Sequence, residues 1–170
     1  MGLIGTLDTT PDASLVWDSS EVVTNNATKD SSVFDLGQSY LSNLDQRKGG
    51  ELFCARFSFT TCSTATGDMV IVNVQGCNVA DFSTGSPNLY NLGTLVVGAG
   101  AIIQTNIGVG NSNGRGRGDY VLPFYNIGLD GDALAASPTN TQQACRYVRI
   151  QTKTIGATSA CEFSVRIQKL

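Results

Sequence analysis

At 170 residues, with 11 basic against 14 acidic side chains and a net charge of −3, the chain has the size of one domain and carries no basic field to hold a phosphate backbone by counterion release. Charged residues make up only 15% of it and histidine is absent, which removes the commonest general base, the commonest zinc ligand and every Ser-His or Cys-His nucleophile pair. General nucleic-acid binding is disfavoured, and histidine-based hydrolysis is excluded.

In chain order, residues 1–14 hold Gly2, Gly5, Thr9, Thr10, Pro11 and Asp12, with Leu3, Ile4 and Leu7 as a scattered apolar set. This composition predicts an extended N-terminal arm. Three large apolar side chains are more than a solvated tail needs, so the arm is expected to dock on a neighbour rather than fray. The first residues lack the basic and apolar regions of a secretion signal, and no run reaches the roughly 18 apolar residues of a membrane span. The chain is therefore expected to be used without secretion and without a membrane partner. Gly2 superficially fits an N-myristoylation pattern, but nothing basic stands nearby to help membrane binding.

From residue 15 to 170 a single domain is expected. The helical period is nearly absent, while runs rich in Val, Ile, Phe and Thr recur between clusters of Gly, Asn, Ser and Pro. Short strands are predicted at 15–17, 20–23 and 32–36. Residues 52–59 form the clearest strand, with Phe53, Ala55, Phe57 and Phe59 on one face and Leu52, Cys54, Arg56 and Ser58 on the other. Val70, Val72 and Val74 alternate with Ile71, Asn73 and Gln75 after the turn formers Thr66, Gly67 and Asp68, and the two runs together suggest a hairpin. Further strands are expected at 91–96, 102–106 and 119–124. The stretch from Gly108 to Gly118 reads as a flexible surface loop, and 126–142 mostly as loop with one helical turn at 132–136. Residues 147–150 and 163–167 give two strands joined by a small-residue turn. The last strand points Cys161, Phe163, Val165 and Ile167 inward, and Glu162, Ser164, Arg166 and Gln168 outward. Many short strands that each bury one face predict an all-β, jelly-roll-like two-sheet β-sandwich with long loops.

The local motifs are weak. Cys54, Cys62, Cys77, Cys145 and Cys161 are odd in number with no C-x-x-C pair, so free buried thiols are expected rather than a disulfide framework or a zinc knuckle. Arg117-Gly118-Asp119 spells an integrin-recognition tripeptide, but without a secretion signal Asp119 reads better as the start of a strand. The glycines at 98 and 100, and those at 114, 116 and 118, lack phosphate-loop spacing and read as backbone hinges. Asp130 and Asp132 resemble part of a calcium loop without its bidentate Glu, and turn-forming Asp with Gly explains them. Asp18, Glu21, Asp35, Glu51 and Asp81 could in principle supply paired carboxylates for glycoside hydrolysis, with Trp17 the single Trp for stacking a sugar. No catalytic residue, cofactor or metal is expected.

The order of segments says more than any motif. The runs at 20–24, 32–37, 50–53 and 72–83, then Tyr120-Val121-Leu122-Pro123, Arg146-Tyr147-Val148-Arg149-Ile150 and the small-residue final strand from Ala160, resemble successive landmarks of the capsid cement (decoration) proteins of tailed bacteriophages, of the Bordetella short-tailed phage type. The resemblance spans about residues 15–170 and departs from the pattern in the N-terminal extension, the loop from Gly108 to Gly118 and the stretch before Arg146. It implies a jelly roll with no catalytic residues that binds the outside of an expanded head, bridges major capsid subunits and resists DNA pressure.

A non-enzymatic virion protein is therefore expected on the capsid exterior, with the phage major capsid protein and itself as partners, as a homodimer in preference to a trimer. Leu3, Ile4, Leu7 and Trp17, together with Arg115 and Arg117, are the contact candidates. The alternatives are a carbohydrate- or receptor-binding β-sandwich displayed on a virion, a carboxylate or metal enzyme, and a major shell or head-completion protein.

Overall fold

The alternation read from the sequence becomes a set of antiparallel strands in the computed structural model, which describes residues 16–17, 22–24, 27–36, 51–62, 65, 67–77, 80–82, 89–98, 118–129, 142–156 and 160–170. In chain order these are β1 (Val16–Trp17), β2 (Val22–Thr24), β3 (Thr28–Asp30), β4 (Phe34–Asp35), β5 (Leu52–Cys62), β6 (Met69–Cys77), β7 (Tyr90–Gly98), β8 (Gly118–Tyr125), β9 (Ile127–Leu129), β10 (Gln142–Ala144), β11 (Tyr147–Ile155) and β12 (Ala160–Lys169). Sheet A runs β1-β12-β5-β8, with β2 also on β12. Sheet B runs β3-β11-β6-β7, with β4 also on β11, and β9 and β10 pair by themselves.

Taking β1 with β2 and β3 with β4 as broken single strands, and leaving β9 and β10 aside, sheet A holds the first, eighth, third and sixth strands. Sheet B holds the second, seventh, fourth and fifth. That order is a jelly roll, two antiparallel sheets wound from Greek-key connections. The expected fold class is therefore observed. The predicted arm at 1–14, the strand at 102–106 and the loop positions 108–117 lie outside the described residues.

One local expectation is corrected and two are made more specific. The runs in β5 and β6 are not a hairpin, because β5 belongs to sheet A and β6 to sheet B. β11 and β12 are the two strands expected on either side of a small-residue stretch, and that connection carries the chain from one sheet to the other. Alternation marks a buried face but does not say which of two facing sheets carries it, so adjacency in sequence is a poor guide to pairing. The stretch at 126–142, expected mostly as loop, contains β9 and the start of β10, joined in antiparallel register from Gln142 opposite Leu129 to Ala144 opposite Ile127, while the helical turn expected at 132–136 lies outside the described residues.

The inner faces meet in one core. Sheet A contributes Phe53, Phe57, Phe59, Phe124, Phe163 and Ile167, and sheet B contributes Val70, Val72, Val74, Leu95, Val148 and Ile150, all buried. Phe59 stacks on Phe163 with centroids 4.9 Å apart, and Phe57 lies tilted against the same ring at 6.0 Å. Such ring pairs add about 0.5–1.5 kcal/mol beyond area burial. Cys54, Cys77, Cys145 and Cys161 are buried and Cys62 is half-buried, with no disulfide among the described residues, in line with their reading as small apolar fillers.

Two polar residues fasten the ends. At one end Asp68 is buried, and Gly98 (φ +133°) and Gly156 (φ +121°) close on it from the ends of β7 and β11. A Cβ on Gly98 would come 2.5 Å from the Asp68 carbonyl oxygen, and one on Gly156 would overlap Asp68 Oδ1. At the other end Asn126 is fully buried and uses both its backbone and its amide. Its N–H donates to Glu51 O (3.2 Å) and its Oδ1 accepts from Glu51 N (2.7 Å). Its Nδ2 donates to Cys145 O (3.1 Å) and its carbonyl accepts from Cys145 N (2.7 Å).

Candidate functional site

With the inner faces filled by apolar side chains, the outer faces carry the polar chemistry, and the two differ. On sheet B four side chains close a ring. Arg149 Nε donates to Gln75 Oε1 (2.8 Å), and Gln75 Nε2 donates to Gln151 Oε1 (3.1 Å). Gln151 Nε2 in turn donates to Asp30 Oδ1 (3.0 Å), whose Oδ2 pairs with Arg149 Nη1 at 2.8 Å. The ring exists because these residues take outward positions on β6, β11 and β3, where Arg149 faces Gln75 and Gln151 faces Asp30. Arg149 also lies over the Phe82 ring, 4.9 Å from its centroid. Phe82 itself packs with Cys77, Leu89 and Tyr147 in a small second core. Farther along the face Asn91 Nδ2 donates to Thr94 Oγ1 (2.9 Å), which donates to Asn73 Oδ1 (2.8 Å). Most of the polar side chains of this face are thus tied to one another.

On sheet A the register places Arg166 of β12 directly opposite Arg56 of β5, with Val121 of β8 beyond Arg56 and Val16 of β1 beyond Arg166. Next to this row stand Ser164, Ser58 and Asp119, again directly opposite one another. Arg56, Arg166, Ser58, Ser164, Gln168, Asp119 and Val121 line a shallow depression of about 450 Å³. Among the described residues neither Arg56 nor Arg166 has an ion-pair partner, whereas Arg146 and Arg149 each have one. Along β8 the outward row continues through Val121, Pro123 and Tyr125. Val121 and Tyr125 are each 59% exposed. Cys54 sits on this same outer side of β5, where burial raises its thiol pKa and the nearby Arg56 charge partly opposes the rise.

Of the carboxylates considered from the sequence, Asp35, Glu51 and Asp81 fall among the described residues. Asp35 receives a two-pronged bond from Arg146, Nε to Oδ1 at 2.9 Å and Nη2 to Oδ2 at 2.7 Å, which raises the Arg146 pKa. Glu51 pairs with Lys169, and Asp81 is exposed beyond β6. Asp18, Glu21, Asp130 and Asp132 lie outside the described residues. Among the described residues no group of three His, Cys, Asp or Glu side chains comes together as a metal site, and no helix is long and apolar enough to cross a membrane.

Of the contact candidates, Trp17 lies in β1 with its backbone paired to Val165, and Leu3, Ile4, Leu7, Arg115 and Arg117 lie outside the described residues. Asp119 is the second residue of β8, as its strand-start reading anticipated. The facing arginines and the ring on sheet B are not singled out by the sequence. Alternation puts Arg56 and Arg166 outward, but their meeting depends on strand pairing and register.

No family model matches the chain, and no curated protein matches it. Among solved structures it is similar to a chain of the Cowpea Mosaic Virus empty virus-like particle determined by electron cryo-microscopy, at 14% identity and a TM-score of 0.25. That match covers 71% of this chain and 54% of the viral one, so the chain spans about half the length of the structure it resembles.

Proposed function

We propose that the chain is a structural virion protein, a capsid cement protein that binds the outside of the expanded phage head, bridges neighbouring major capsid subunits and stabilises the shell against DNA pressure. The observation that carries this reading is a jelly roll whose inner faces are filled with aromatic and branched side chains, which leaves recognition to the outer faces and the loops. The order of sequence landmarks over about residues 15–170 supports the same assignment. A ligand that binds only the expanded shell stabilises it by mass action, by about 2.7 kcal/mol per site at a free concentration 100-fold above Kd. Repetition over many sites multiplies a modest affinity. A homodimer suits a local two-fold position and a trimer a three-fold one, with the arm carrying Leu3, Ile4 and Leu7 reaching a neighbour and Arg115 and Arg117 as a second contact.

The test is co-sedimentation of the purified chain with expanded and unexpanded empty capsids of its own phage, followed by heating of each mixture. Saturable binding to the expanded form alone, with a raised disruption temperature, is the expected result. Binding to neither form overturns the reading and moves a carbohydrate- or receptor-binding module to the front.

A further inference from the structure

We propose that the outer face of sheet A is a protein-docking surface in which Arg56 and Arg166 jointly receive carboxylates from an acidic segment of the partner. The inference rests on the cement reading only in naming that partner as the capsid shell. Like charges directly opposite on antiparallel strands, with Cβ atoms roughly 4.5–5.5 Å apart, destabilise a sheet, and the register makes Arg56 and Arg166 such a pair. An anion between them converts the repulsion into two attractions. The guanidinium fork suits a carboxylate, to which it can donate two parallel hydrogen bonds. The hydroxyls of Ser58 and Ser164 and the amide of Gln168 line the same depression and supply further donors.

Beside the arginines, Val121, Pro123 and Tyr125 on the edge strand offer an apolar rim. Arginine and tyrosine around a desolvated patch is the composition of interface hot spots. Pro123 lacks the N–H that strand addition along this edge would use, so the partner is received on the face of the sheet. The cation count argues for carboxylates over a phosphodiester backbone. The site holds two arginines with Asp119 alongside, in a chain of net charge −3, whereas a duplex is held by many simultaneous phosphate contacts.

Two arms test this. In the first, arginine Nε–H resonances of the purified chain are followed by NMR during titration with a capped tetraglutamate peptide at low salt. Arg56 and Arg166 are expected to shift together and saturate, while Arg146 and Arg149, already held by Asp35 and Asp30, stay in place. Equal small shifts at all four, no shift at any, or a stronger response to duplex DNA or inorganic phosphate than to the peptide each overturn the site. In the second arm, Arg56→Gln and Arg166→Gln are compared with wild type in co-sedimentation with expanded capsids. Each is expected to keep or raise the thermal midpoint and to weaken retention about tenfold or more at low salt. Undiminished retention of both variants on capsids that hold the wild type overturns the inference and leaves the cement reading standing. A wild type that the capsids do not retain, with a positive peptide titration, does the reverse.

Discussion

The outer faces of the two sheets have the same kind of backbone beneath them and opposite arrangements of polar side chains. On sheet B an aspartate, an arginine and two glutamines saturate one another in a closed ring. On sheet A two arginines face each other with no anionic partner among the described residues. A ring whose donors and acceptors are already matched gains little from a polar partner, because each new bond replaces an existing one. A face with opposed, unmatched cations gains on binding what it gives up in the free state. The contrast lies in the charged groups: they are paired in the ring on sheet B and opposed on sheet A, and the proposed docking surface is the one where they are opposed.

The largest expected effect comes from removing the floor on which both faces stand. Phe163→Ala deletes a ring at 0% exposure that contacts Phe57 and Phe59 and should lower stability by about 3–5 kcal/mol in urea unfolding. The two sheets should then unfold in one transition. A separate transition for sheet B, seen by hydrogen exchange, would break the comparison by showing that the faces do not share one core. Next in size, Asn126→Ala leaves Glu51 N and Cys145 O without their buried side-chain partners and should lower stability by about 2–3 kcal/mol by the same measurement.

Smaller effects sharpen the contrast between the faces. Arg149→Met on sheet B strips Gln75 and Asp30 of a partner whose side chain is only 13% exposed and should lower stability by about 1 kcal/mol. Arg56→Gln on sheet A should change it by no more than a few tenths of a kcal/mol, in the stabilising direction, because it relieves a like-charge pair. Equal losses in the two variants would erase the distinction. Thr152→Val offers a control inside the core: the Thr152 hydroxyl is buried with no hydrogen-bond partner among the described residues, so the variant should be more stable by about 1 kcal/mol.

The smallest effect is alkaline. Burial raises the Cys62 thiol above its ordinary value of 9.0, and the Asp68 charge raises it further. A raised folded pKa means that this group's contribution to stability is complete below pH 9 and is lost as pH rises through the folded value. Thermal midpoints should therefore hold steady from neutral pH to pH 9 and decline above it, and Cys62→Ser should flatten the decline.

Much of the core is legible because alternation is a local property. Spacing alone places Phe53, Ala55, Phe57 and Phe59 in β5, and Cys161, Phe163, Val165 and Ile167 in β12, inward, and all are buried. The winding of the roll is not legible, since the corner between β5 and β6, which reads as a hairpin, is short and rich in turn formers yet crosses between the sheets. The arginine pair is hidden by a subtler feature. The register of β12 on β5 shifts between Glu162 and Phe163; had it continued unshifted from Cys161 opposite Cys62, Arg166 would face the buried Phe57 instead of Arg56. A bulge of that kind is set by how the whole strand must pack and leaves no mark in the residues beside it. The ring on sheet B is hidden for a similar reason, because its four members come from three strands far apart in sequence.

The corner built on Asp68 bears on how this chain can change over evolutionary time. A side chain at position 156 would have to occupy space that the Asp68 side chain fills, one at position 98 would run into the main chain of Asp68 and Met69, and the backbone angles at both suit glycine. Substitution at either glycine is therefore resisted, and at position 98 it is resisted whatever residue stands at position 68. Descendant lineages should keep glycine at both positions even where the aspartate changes, so the two glycines, spaced as the ends of β7 and β11, would serve as a signature for relatives whose surfaces have diverged beyond recognition.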